Sequence, residues 1–455
     1  MVDPLLTDLY EFTMTAALAA GGRAEAPATF SLYVRNLPPS RGYLVAAGLH
    51  DVVAFLREWR FDDEAIVRLA AAAPFEADFL DWLRGLRFTG RVRAVPEGRI
   101  VFASEPLLEI DAPFGEAQLL ETILLFLVTF PTAVATKAAR CREAAAGRTL
   151  VDFGLRRAHG AEAGMAAARG AAIAGFSATS DVAAAVRYGL PASGTMAHSF
   201  LTALAGNDPA GELGAFRAFA EHYCGDPVLL VDTWDSAGGI DHAVVVAKEL
   251  DAAGRRLAGI RLDSGDLAAL ARLARERLDA AGLPDVGIFA SGGLDELEIA
   301  RMVAAGAPID GFGIGTNFAT SADAPTLETV YKLVAVDGRP MAKHSTGKAT
   351  LPGAKQVWRR PGFGGDILAL AGEPAPAPDA EPLLEDVDLD AEPGDPEVVA
   401  AARRRFEAEW SVLPPEYKDL TNPSRYEVTT SESLKALSDK GLRTRMTAGN
   451  PGSGT

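Results

Sequence analysis

The residues of this chain that could do chemistry gather in four short segments, each after an apolar run or a Pro/Gly turn. The four segments are Ser193–Phe200, Arg261–Asp266, Ala290–Gly293 and Gly311–Asn317. Together they offer an imidazole, carboxylates, bare backbone amides and hydroxyls, which can hold sugar hydroxyls, a divalent cation and phosphate groups. In a protein of alternating strands and helices, loops of this kind follow the strands and form the binding site. The pattern therefore predicts chemistry on a phosphorylated sugar.

His198 is the predicted catalytic residue. Histidine titrates near neutrality and its neutral ring is a nucleophile, so His198 could transfer a proton or form a covalent intermediate. The competing interpretation is a hydrogen-bonded structural histidine. His159 is the rival imidazole, but it stands where a helix should begin, which favours a structural role or a phosphate contact.

Asp263 and Asp266 lie three residues apart across a Ser-Gly turn that ends a predicted strand. Ser264 or Asp263 would make a good cap for the helix that follows, and capping accounts for only one acid. Arg261 leads into the pair, so the segment suits a site that binds an anion while it holds ribose hydroxyls or Mg²⁺. Either Asp263 or Asp266 could be the Mg²⁺ ligand, and the sequence leaves this choice open.

Two successive Gly-rich loops predict a phosphate site of the type that late loops of barrel proteins form. Such glycines also occur where a tight turn requires them, so each loop alone is weak evidence. The predicted phosphate ligands are Ser291, Gly292, Gly293, Gly313, Gly315 and Thr316.

The segment Asp152–Arg157 closes another predicted strand with an acid, an aromatic ring and two basic residues. Phe153 could stack on a flat ring while Arg156 or Arg157 binds a phosphate or carboxylate through paired N–H groups. The alternative is a core phenylalanine beside solvated arginines.

The elements that must position these residues belong to an α/β protein of more than one domain, because 455 residues exceed one usual hydrophobic core. Residues 1–116 mix helical and strand patterns, and 117–335 alternate strands with helices as in a parallel α/β barrel. Residues 336–455 form a C-terminal segment that packs back on the N-terminal domain, with a loose acidic Pro/Ala stretch over 372–395. The strand candidates of the barrel are Thr149–Phe153, Ala171–Phe176, Val228–Asp232, Leu257–Leu262, Val286–Phe289 and Ile309–Gly313, with a shorter one near Pro191–Thr195.

Composition excludes several classes of partner. A net charge of -17 argues against nucleic acid, which binds proteins with a surplus of Lys and Arg. Two cysteines and no signal-peptide pattern predict a cytoplasmic protein without disulfides. The most apolar window, Leu119–Val134, is interrupted by Glu121 and Pro131, which predicts a buried helix and no membrane span. Small molecules are therefore the expected partners.

Taken together, the motifs resemble the nicotinate phosphoribosyltransferase family. The resemblance implies a type II phosphoribosyltransferase fold, an irregular α/β barrel joined to a mixed α+β N-terminal domain and a C-terminal extension. It also implies a homodimer in which the N-terminal segment of one subunit caps the barrel mouth of the other. The segments that carry the resemblance are Leu5–Met14, Val151–Gly160, Ser193–Phe200, Arg261–Leu267, Gly311–Asn317, Tyr331–Val334 and Lys348–Val357.

The family's reaction joins nicotinate to 5-phosphoribosyl 1-diphosphate and couples this transfer to ATP hydrolysis, with Mg²⁺ on the diphosphate. By resemblance, His198 is the residue that ATP phosphorylates, and Asp263 lies near the sugar, where its charge would lower the barrier to breaking the C1–O bond. Tyr10 and Phe153 would sandwich the pyridine ring, and Thr316 would meet the phosphoribosyl phosphate. The substrate-binding residues that the resemblance and the motifs imply are Tyr10, Phe153, Arg156, Ser180, Thr195 and Arg261.

Three alternatives remain open at this point. Nicotinamide phosphoribosyltransferase shares the fold, but an Asp there follows the Thr of the Phe-x-x-Thr motif, where this chain has Ser180, which can donate to a carboxylate. The next residue, Asp181, departs from the Asn expected in the nicotinate family. Quinolinate phosphoribosyltransferase acts without ATP, and the His198 segment argues against it. A non-catalytic sensor of NAD precursors would require losses among the site residues, and none is seen.

Overall fold

The computed structural model describes residues 3–206, 208–342 and 350–439. The chain divides into two compact units. The first unit comprises the chain up to Ala133, Thr326–Gly394 and the residues from Arg404 onward; the second comprises Val134–Pro325 and Asp395–Arg403. The end of the predicted C-terminal segment, 440–455, lies outside the described residues, as do Lys348 and Ala349 of the last motif.

The strands and helices alternate along much of the chain. The strands are β1 (Pro27–Val34), β2 (Leu44–Val45), β3 (Arg91–Ala94), β4 (Ile100–Val101), β5 (Pro106–Pro113), β6 (Thr149–Asp152), β7 (Ala178–Thr179), β8 (Val228–Leu230), β9 (Gly259–Leu262), β10 (Gly287–Ala290), β11 (Gly311–Ile314), β12 (Thr329–Val336), β13 (Arg339–Pro340), β14 (Lys355–Arg359), β15 (Asp366–Leu370), β16 (Glu381–Pro382), β17 (Glu385–Asp386) and β18 (Val428–Thr430). The helices are α1 (Leu9–Ala20), α2 (Leu49–Glu58), α3 (Asp63–Ala72), α4 (Ala77–Gly85), α5 (Phe114–Leu119), α6 (Glu121–Ala145), α7 (Ala161–Ile173), α8 (Val182–Tyr188), α9 (His198–Ala205), α10 (Glu212–His222), α11 (Ser236–Ala252), α12 (Leu267–Ala280), α13 (Glu296–Ala304), α14 (Thr316–Ala319), α15 (Asp395–Val412) and α16 (Pro415–Lys418).

The first unit is built on an antiparallel sheet in the order β13-β12-β1-β5-β3-β17. Its central strand β1 pairs with β12 on one side and with β5 on the other. A second sheet, β16-β14-β15-β18, comes from the chain after the parallel repeat. Buried side chains from both parts, such as Leu32, Ile110 and Val357, share one hydrophobic core.

The second unit holds a parallel sheet in the order β7-β6-β11-β10-β9-β8. Its strands are short apolar runs, as expected for parallel strands that are buried on both faces. Helix α12 shows why the intervening segments are helical, because Ala268, Ala271, Ala274 and Leu278 are buried at helical spacing. The predicted α/β class is confirmed, and the parallel strands form a half-barrel.

One strand prediction was wrong. The first half of the apolar run Ala171–Phe176 belongs to α7, which ends at Ile173, and the strand of that repeat is β7. Alanine has the highest helix propensity of all residues, and tertiary packing of the Ala-rich run favours the helix. Soon after the end of α7, Gly175 takes a φ of +99°, which glycine adopts at no steric cost. The shorter strand expected near Pro191–Thr195 is reduced to a bridge between Thr179 and Ala192.

The acidic stretch 372–395 is more ordered than the expected loose excursion. Glu381–Pro382 pairs with β14, and Glu385–Asp386 pairs with β3. Leu383 and Leu384, between these two strands, are buried. Two leucines are too few to produce a visible apolar period, so the composition of the stretch concealed them.

Helix α6 covers the apolar window that predicted a buried helix, and it continues through Pro131 to Ala145. By length and composition alone α6 could cross a bilayer, but 67% of its most apolar window is buried within the protein, as in a core helix.

A buried ionic cluster in the first unit surrounds Arg359. Its guanidinium donates to Asp366 at 2.7 Å and to Glu409 at 3.3 Å, and it lies 4.0 Å from Glu105. Glu105 is fully buried, and burial together with the charge of Asp366 raises its pKa well above the usual value. The folded protein therefore holds a proton at Glu105 up to a higher pH than the unfolded chain does.

We predict that Glu105→Gln makes the stability of the protein less dependent on pH. A raised carboxyl pKa lowers the free energy of unfolding as pH rises from about 4.5, the ordinary value. The variant cannot titrate there, so its unfolding free energy should rise relative to that of wild type between pH 5 and pH 8. Urea titrations at both pH values measure this, with the exposed Glu58→Gln as control. Parallel pH dependence of wild type and Glu105→Gln would contradict the prediction.

Candidate active site

The predicted site residues lie at the edge of the second unit's sheet where its parallel strands end. The carboxyl ends of parallel strands share one edge, so the residues that follow them come together. Strands β9 and β10 show this register, with Gly259 opposite Gly287 and Leu262 opposite Ala290. The predicted residues that follow strands are Phe153 after β6, Ser180 after β7, Asp263 after β9, Ser291 after β10 and Gly315 after β11.

His198 is the first residue of α9. Its Nδ1 lies 3.1 Å from the Thr233 Oγ1, and its Nε2 lies 4.0 Å from the Asp263 Oδ2. The second distance is too long for a hydrogen bond. Because the His198 side chain is 45% exposed, its Nε2 can reach a ligand that enters from solvent.

Asp232 and Thr233, which the sequence analysis did not single out, support this arrangement. Asp232 Oδ2 accepts hydrogen bonds from the Asp263 backbone N–H at 2.9 Å and from the Ser264 hydroxyl at 2.6 Å. The other oxygen of Asp232 is buried and has no hydrogen-bond partner among the described residues. Val231 alone separates β8 from Asp232, so the strand-end position that selected Asp263 was the available signal for Asp232.

Arg261 connects the loop of His198 to the aromatic ring of Phe153. Its guanidinium donates to the Thr195 hydroxyl at 2.6 Å and to the Met196 carbonyl at 3.1 Å. It also lies 5.8 Å from the centre of the Phe153 ring, within the range of a cation–π interaction. The structure therefore brings Arg261, Thr195 and Phe153 together.

The charge on Arg261 is balanced by its surroundings. Burial lowers its pKa, the acids Asp263 and Asp232 oppose that shift, and Arg156 adds to it. Arginine stays protonated under such shifts, because its ordinary pKa is far above neutrality. Arg156 itself is exposed at the same edge. An anionic ligand beside Arg261 and Arg156 would relieve the repulsion between these two cations.

Two glycines of β11 and its loop allow the Phe153 ring to lie against the sheet. A Cβ on Gly313 would stand 2.3 Å from a ring carbon of Phe153, and one on Gly315 would stand 3.1 Å from the Phe153 carbonyl oxygen. The first distance is impossible for a real Cβ contact. These two predicted phosphate ligands therefore have a packing role in positioning Phe153.

A buried network holds Ser180 beside Phe153. The Thr179 hydroxyl donates to Asp152 at 2.7 Å and accepts from the Asp181 backbone N–H at 3.0 Å. The Ser180 N–H donates to the Asp152 carbonyl at 2.8 Å. Asp181 caps α8 through the Ala184 N–H, which gives this unexpected acid a structural role. Burial raises the pKa of Asp152, and hydrogen bonds from Thr179 and Gly154 oppose the rise.

The loop after β10 presents backbone groups rather than charges. Gly292 and Gly293 both have positive φ, and a Cβ on Gly292 would stand 1.9 Å from the Asp263 carbonyl oxygen. The Ser291 hydroxyl donates to the Asp263 carboxylate. Asn317 donates to the Gly293 carbonyl at 2.9 Å, and the loop before it ends at Thr316, the exposed first residue of α14. The two predicted phosphate loops are thus joined to each other.

The carboxylates suit a cation that arrives with its ligand. Asp266, rather than Ser264 or Asp263, caps α12 by accepting from the Ala269 N–H at 3.0 Å. Asp263 keeps one oxygen that faces His198. No group of three metal-ligating side chains occurs in the described part of the chain. Mg²⁺ commonly takes one or two carboxylates and completes its shell with water and substrate phosphates, and Asp263 fits that requirement better than Asp266.

Two further candidates are exposed. Tyr10 belongs to the first unit, on α1, and its side chain is 47% exposed. His159 is exposed just before α7, and no hydrogen bond fixes its ring among the described residues.

Comparisons with known proteins identify the family of the chain. A family model described as the nicotinate phosphoribosyltransferase N-terminal domain matches residues 5–129, and the model of the nicotinate phosphoribosyltransferase family matches residues 148–409. The chain is 48% identical over 388 residues to nicotinate phosphoribosyltransferase pncB2 of Mycobacterium tuberculosis. The aligned region covers 84% of this chain and 81% of that protein.

Two solved structures have similar folds. The crystal structure of human nicotinic acid phosphoribosyltransferase matches with a TM-score of 0.84 and 33% identity, over 96% of this chain and 100% of the other. The crystal structure of nicotinate-nucleotide pyrophosphorylase from Pyrococcus furiosus matches with a TM-score of 0.70 and 26% identity, over 89% and 96%. The matched models, the identity and the shared fold establish that this chain belongs to the nicotinate phosphoribosyltransferase family.

Proposed function

We propose that this chain makes nicotinate mononucleotide from nicotinate and 5-phosphoribosyl 1-diphosphate, and that ATP drives the reaction through a phosphohistidine at His198. The position of His198 carries the proposal: an accessible imidazole nitrogen stands beside Asp263 at the edge where the other predicted ligands meet. Membership of the family supports the phosphoribosyl transfer. The coupling to ATP rests on His198.

The coupling step uses the unprotonated nitrogen of the imidazole. The Nε2 lone pair of His198 attacks the γ-phosphorus of ATP, an N–P bond forms, the bond to the bridging oxygen breaks, and ADP leaves with the electron pair. Water later cleaves the N–P bond and releases phosphate. No proton has to leave the ring before the attack, because neutral imidazole is already nucleophilic.

The transfer step separates charge at the ribose. The C1–O bond breaks toward diphosphate, which leaves positive charge on the sugar and negative charge on the leaving group. Asp263, fixed by Asp232 and Ser291, can stabilise the sugar cation, and the pyridine nitrogen of nicotinate then forms the new bond to C1. Mg²⁺ held by the diphosphate and Asp263 would neutralise the leaving group.

The acid substrate fits the donors of the site. Arg261 and Arg156 supply positive charge, and Ser180 supplies a hydroxyl rather than a carboxylate at the position that the nicotinamide enzymes use for an Asp. Phe153 offers a ring face for the pyridine. A substrate amide would need a hydrogen-bond acceptor. Among Arg261, Arg156 and Ser180, only the Ser180 hydroxyl can accept. Nicotinamide is therefore the disfavoured alternative.

We predict that His198→Ala abolishes phosphorylation of the protein by ATP, because it removes the nucleophile. Basal transfer from 5-phosphoribosyl 1-diphosphate should survive at a reduced rate. The measurement is mononucleotide formation from nicotinate and from nicotinamide, each with and without ATP, together with acid-labile label from γ-labelled ATP. Label on His159 with His198 intact, or a preference for nicotinamide, would contradict the proposal.

We predict that Gly313→Ala raises the KM for nicotinate by about tenfold. The added methyl group displaces the Phe153 ring, and overpacking of this kind typically costs about 1–3 kcal/mol. Gly214→Ala on α10 is the matched control, because a Cβ there meets nothing within 4 Å. Steady-state kinetics with each substrate varied in turn measure the effect. An unchanged KM for nicotinate would show that Phe153 does not contact the pyridine.

The proposed assembly is a homodimer with shared sites, in the cytoplasm. An exposed Tyr10 and neighbouring exposed Leu6, Leu9 and Met14 form an apolar surface around α1, which a second subunit would cover. The two cysteines, Cys141 and Cys224, are unpaired, as expected in a reducing compartment.

We predict that Tyr10→Ala and His198→Ala, each without ATP-coupled activity on its own, regain ATP-coupled activity when they are mixed and allowed to exchange subunits. Each heterodimer would contain one intact site, formed by an unaltered Tyr10 and an unaltered His198. Activity of about a quarter of wild type is expected at equal concentrations with free exchange, because half the dimers have one working site of two. A mixture as inactive as its parents would exclude the shared-site arrangement.

A further inference from the structure

Among the described residues, Thr233 makes the only polar contact shorter than 3.5 Å to the imidazole of His198, between its Oγ1 and the ring Nδ1 at 3.1 Å. The other ring nitrogen, Nε2, lies 4.0 Å from Asp263. A threonine hydroxyl can accept a hydrogen bond, and the partner of one ring nitrogen decides which nitrogen carries the proton. The same hydroxyl can also donate to an unprotonated Nδ1, so the contact orients the ring in either case; when Thr233 accepts from Nδ1–H, the Nε2 lone pair is left free for a ligand.

The backbone that carries Thr233 is fixed on both sides. Before it, the Val231 N–H donates to the Arg261 carbonyl at 3.2 Å, and Asp232 binds the start of the β9 loop. After it, Asp235 caps α11 by accepting from the Gly238 N–H at 2.8 Å. Helix α11 also lies close against the strand end, because a Cβ on Gly239 would stand 2.0 Å from the Val231 carbonyl oxygen.

The side chain of Thr233 is stiff as well. A β-branched residue has few χ1 rotamers, so a fixed backbone fixes the hydroxyl. The Thr233 hydroxyl is thus preorganised toward His198. A flexible surface partner would offer no such constraint on the ring.

We propose that Thr233 is a positioning residue that holds His198 in the Nδ1–H tautomer and aims the Nε2 lone pair at the γ-phosphate of ATP. The inference rests on the proposed phosphohistidine at His198. Nδ1–H donates to the Thr233 hydroxyl before the attack and continues to do so in the phosphorylated ring, which then carries the positive charge. The N–P bond forms at Nε2, and ADP leaves with the electron pair of the broken bond.

The test compares Thr233→Val, which has the same shape without the hydroxyl, with Thr233→Ser, which keeps the hydroxyl. Thr202→Val is the matched control, since Thr202 lies one turn along α9 and, among the described residues, its exposed hydroxyl bonds only to the Ser199 carbonyl. Single-turnover labelling with γ-labelled ATP measures the rate of phosphorylation. Mononucleotide formation without ATP measures basal transfer.

We expect Thr233→Val to slow phosphorylation by about tenfold, the scale of one neutral hydrogen bond, with the KM for ATP unchanged and with basal transfer at least as fast as in His198→Ala. Thr233→Ser should recover most of the rate, and Thr202→Val should match wild type. Imidazole ¹⁵N spectra, assigned with His198→Gln, should show the Nδ1–H tautomer in wild type and its loss in Thr233→Val.

Each other outcome overturns a stated part of the argument. If wild type is labelled and Thr233→Val is labelled at the same rate, this inference alone is overturned. A Thr233→Ser variant that is labelled as slowly as Thr233→Val has the same consequence. An Nε2–H tautomer in wild type also overturns it. No label on wild type overturns the proposed coupling to ATP and, with it, this inference.

Discussion

The parallel pairing of short buried strands is the constraint on which the site depends. Pairing of β9 with β10, and of β11 with β6, is in register along each strand. The residues that follow these strands are therefore delivered to one edge at spacings set by the sheet and not by the loops. Asp263 and Ser291 follow strands that are neighbours in the sheet, and their side chains form a hydrogen bond. Loops alone could not hold such groups at hydrogen-bond distance without a large entropic cost.

Close approach between backbones is the second constraint, and glycine alone permits it. Gly313 faces the Phe153 ring, and Gly292 faces the Asp263 carbonyl. Both glycines were predicted as phosphate ligands because bare amides bind phosphate. Their observed surroundings give each a further role, since a side chain at either position would displace a neighbouring site residue. One glycine can thus serve packing and leave its amide to a ligand.

Much of the site could be predicted from sequence because acids, hydroxyls and glycines follow apolar runs at recognisable spacing. The strand prediction failed at Ala171–Phe176, where a run without β-branched residues except Ile173 suits a helix better than a strand. Thr233 was missed because a threonine among common polar residues has no distinctive pattern. Its importance comes from a contact with His198, which is 35 residues away in the chain, and only the fold reveals that contact. The sequence alone could not show that Asp266 caps α12, because the capping residue depends on where the first turn of the helix begins.

The distribution of charge at the edge is consistent with an enzyme that binds anions in an acidic chain. The net charge is -17, so the whole protein repels nicotinate and diphosphate. Arg261 and Arg156 supply local positive charge, and Asp232 and Asp263 lie close enough to Arg261 to affect its pKa.

In the ground state these acids weaken the attraction for anionic substrates. When the C1–O bond of the proposed reaction breaks, positive charge appears on the ribose, and the same acids become favourable. Interactions that strengthen only in the transition state increase kcat rather than substrate affinity. Under the proposed function, Asp232 and Asp263 therefore lower the affinity for anionic substrates and increase kcat.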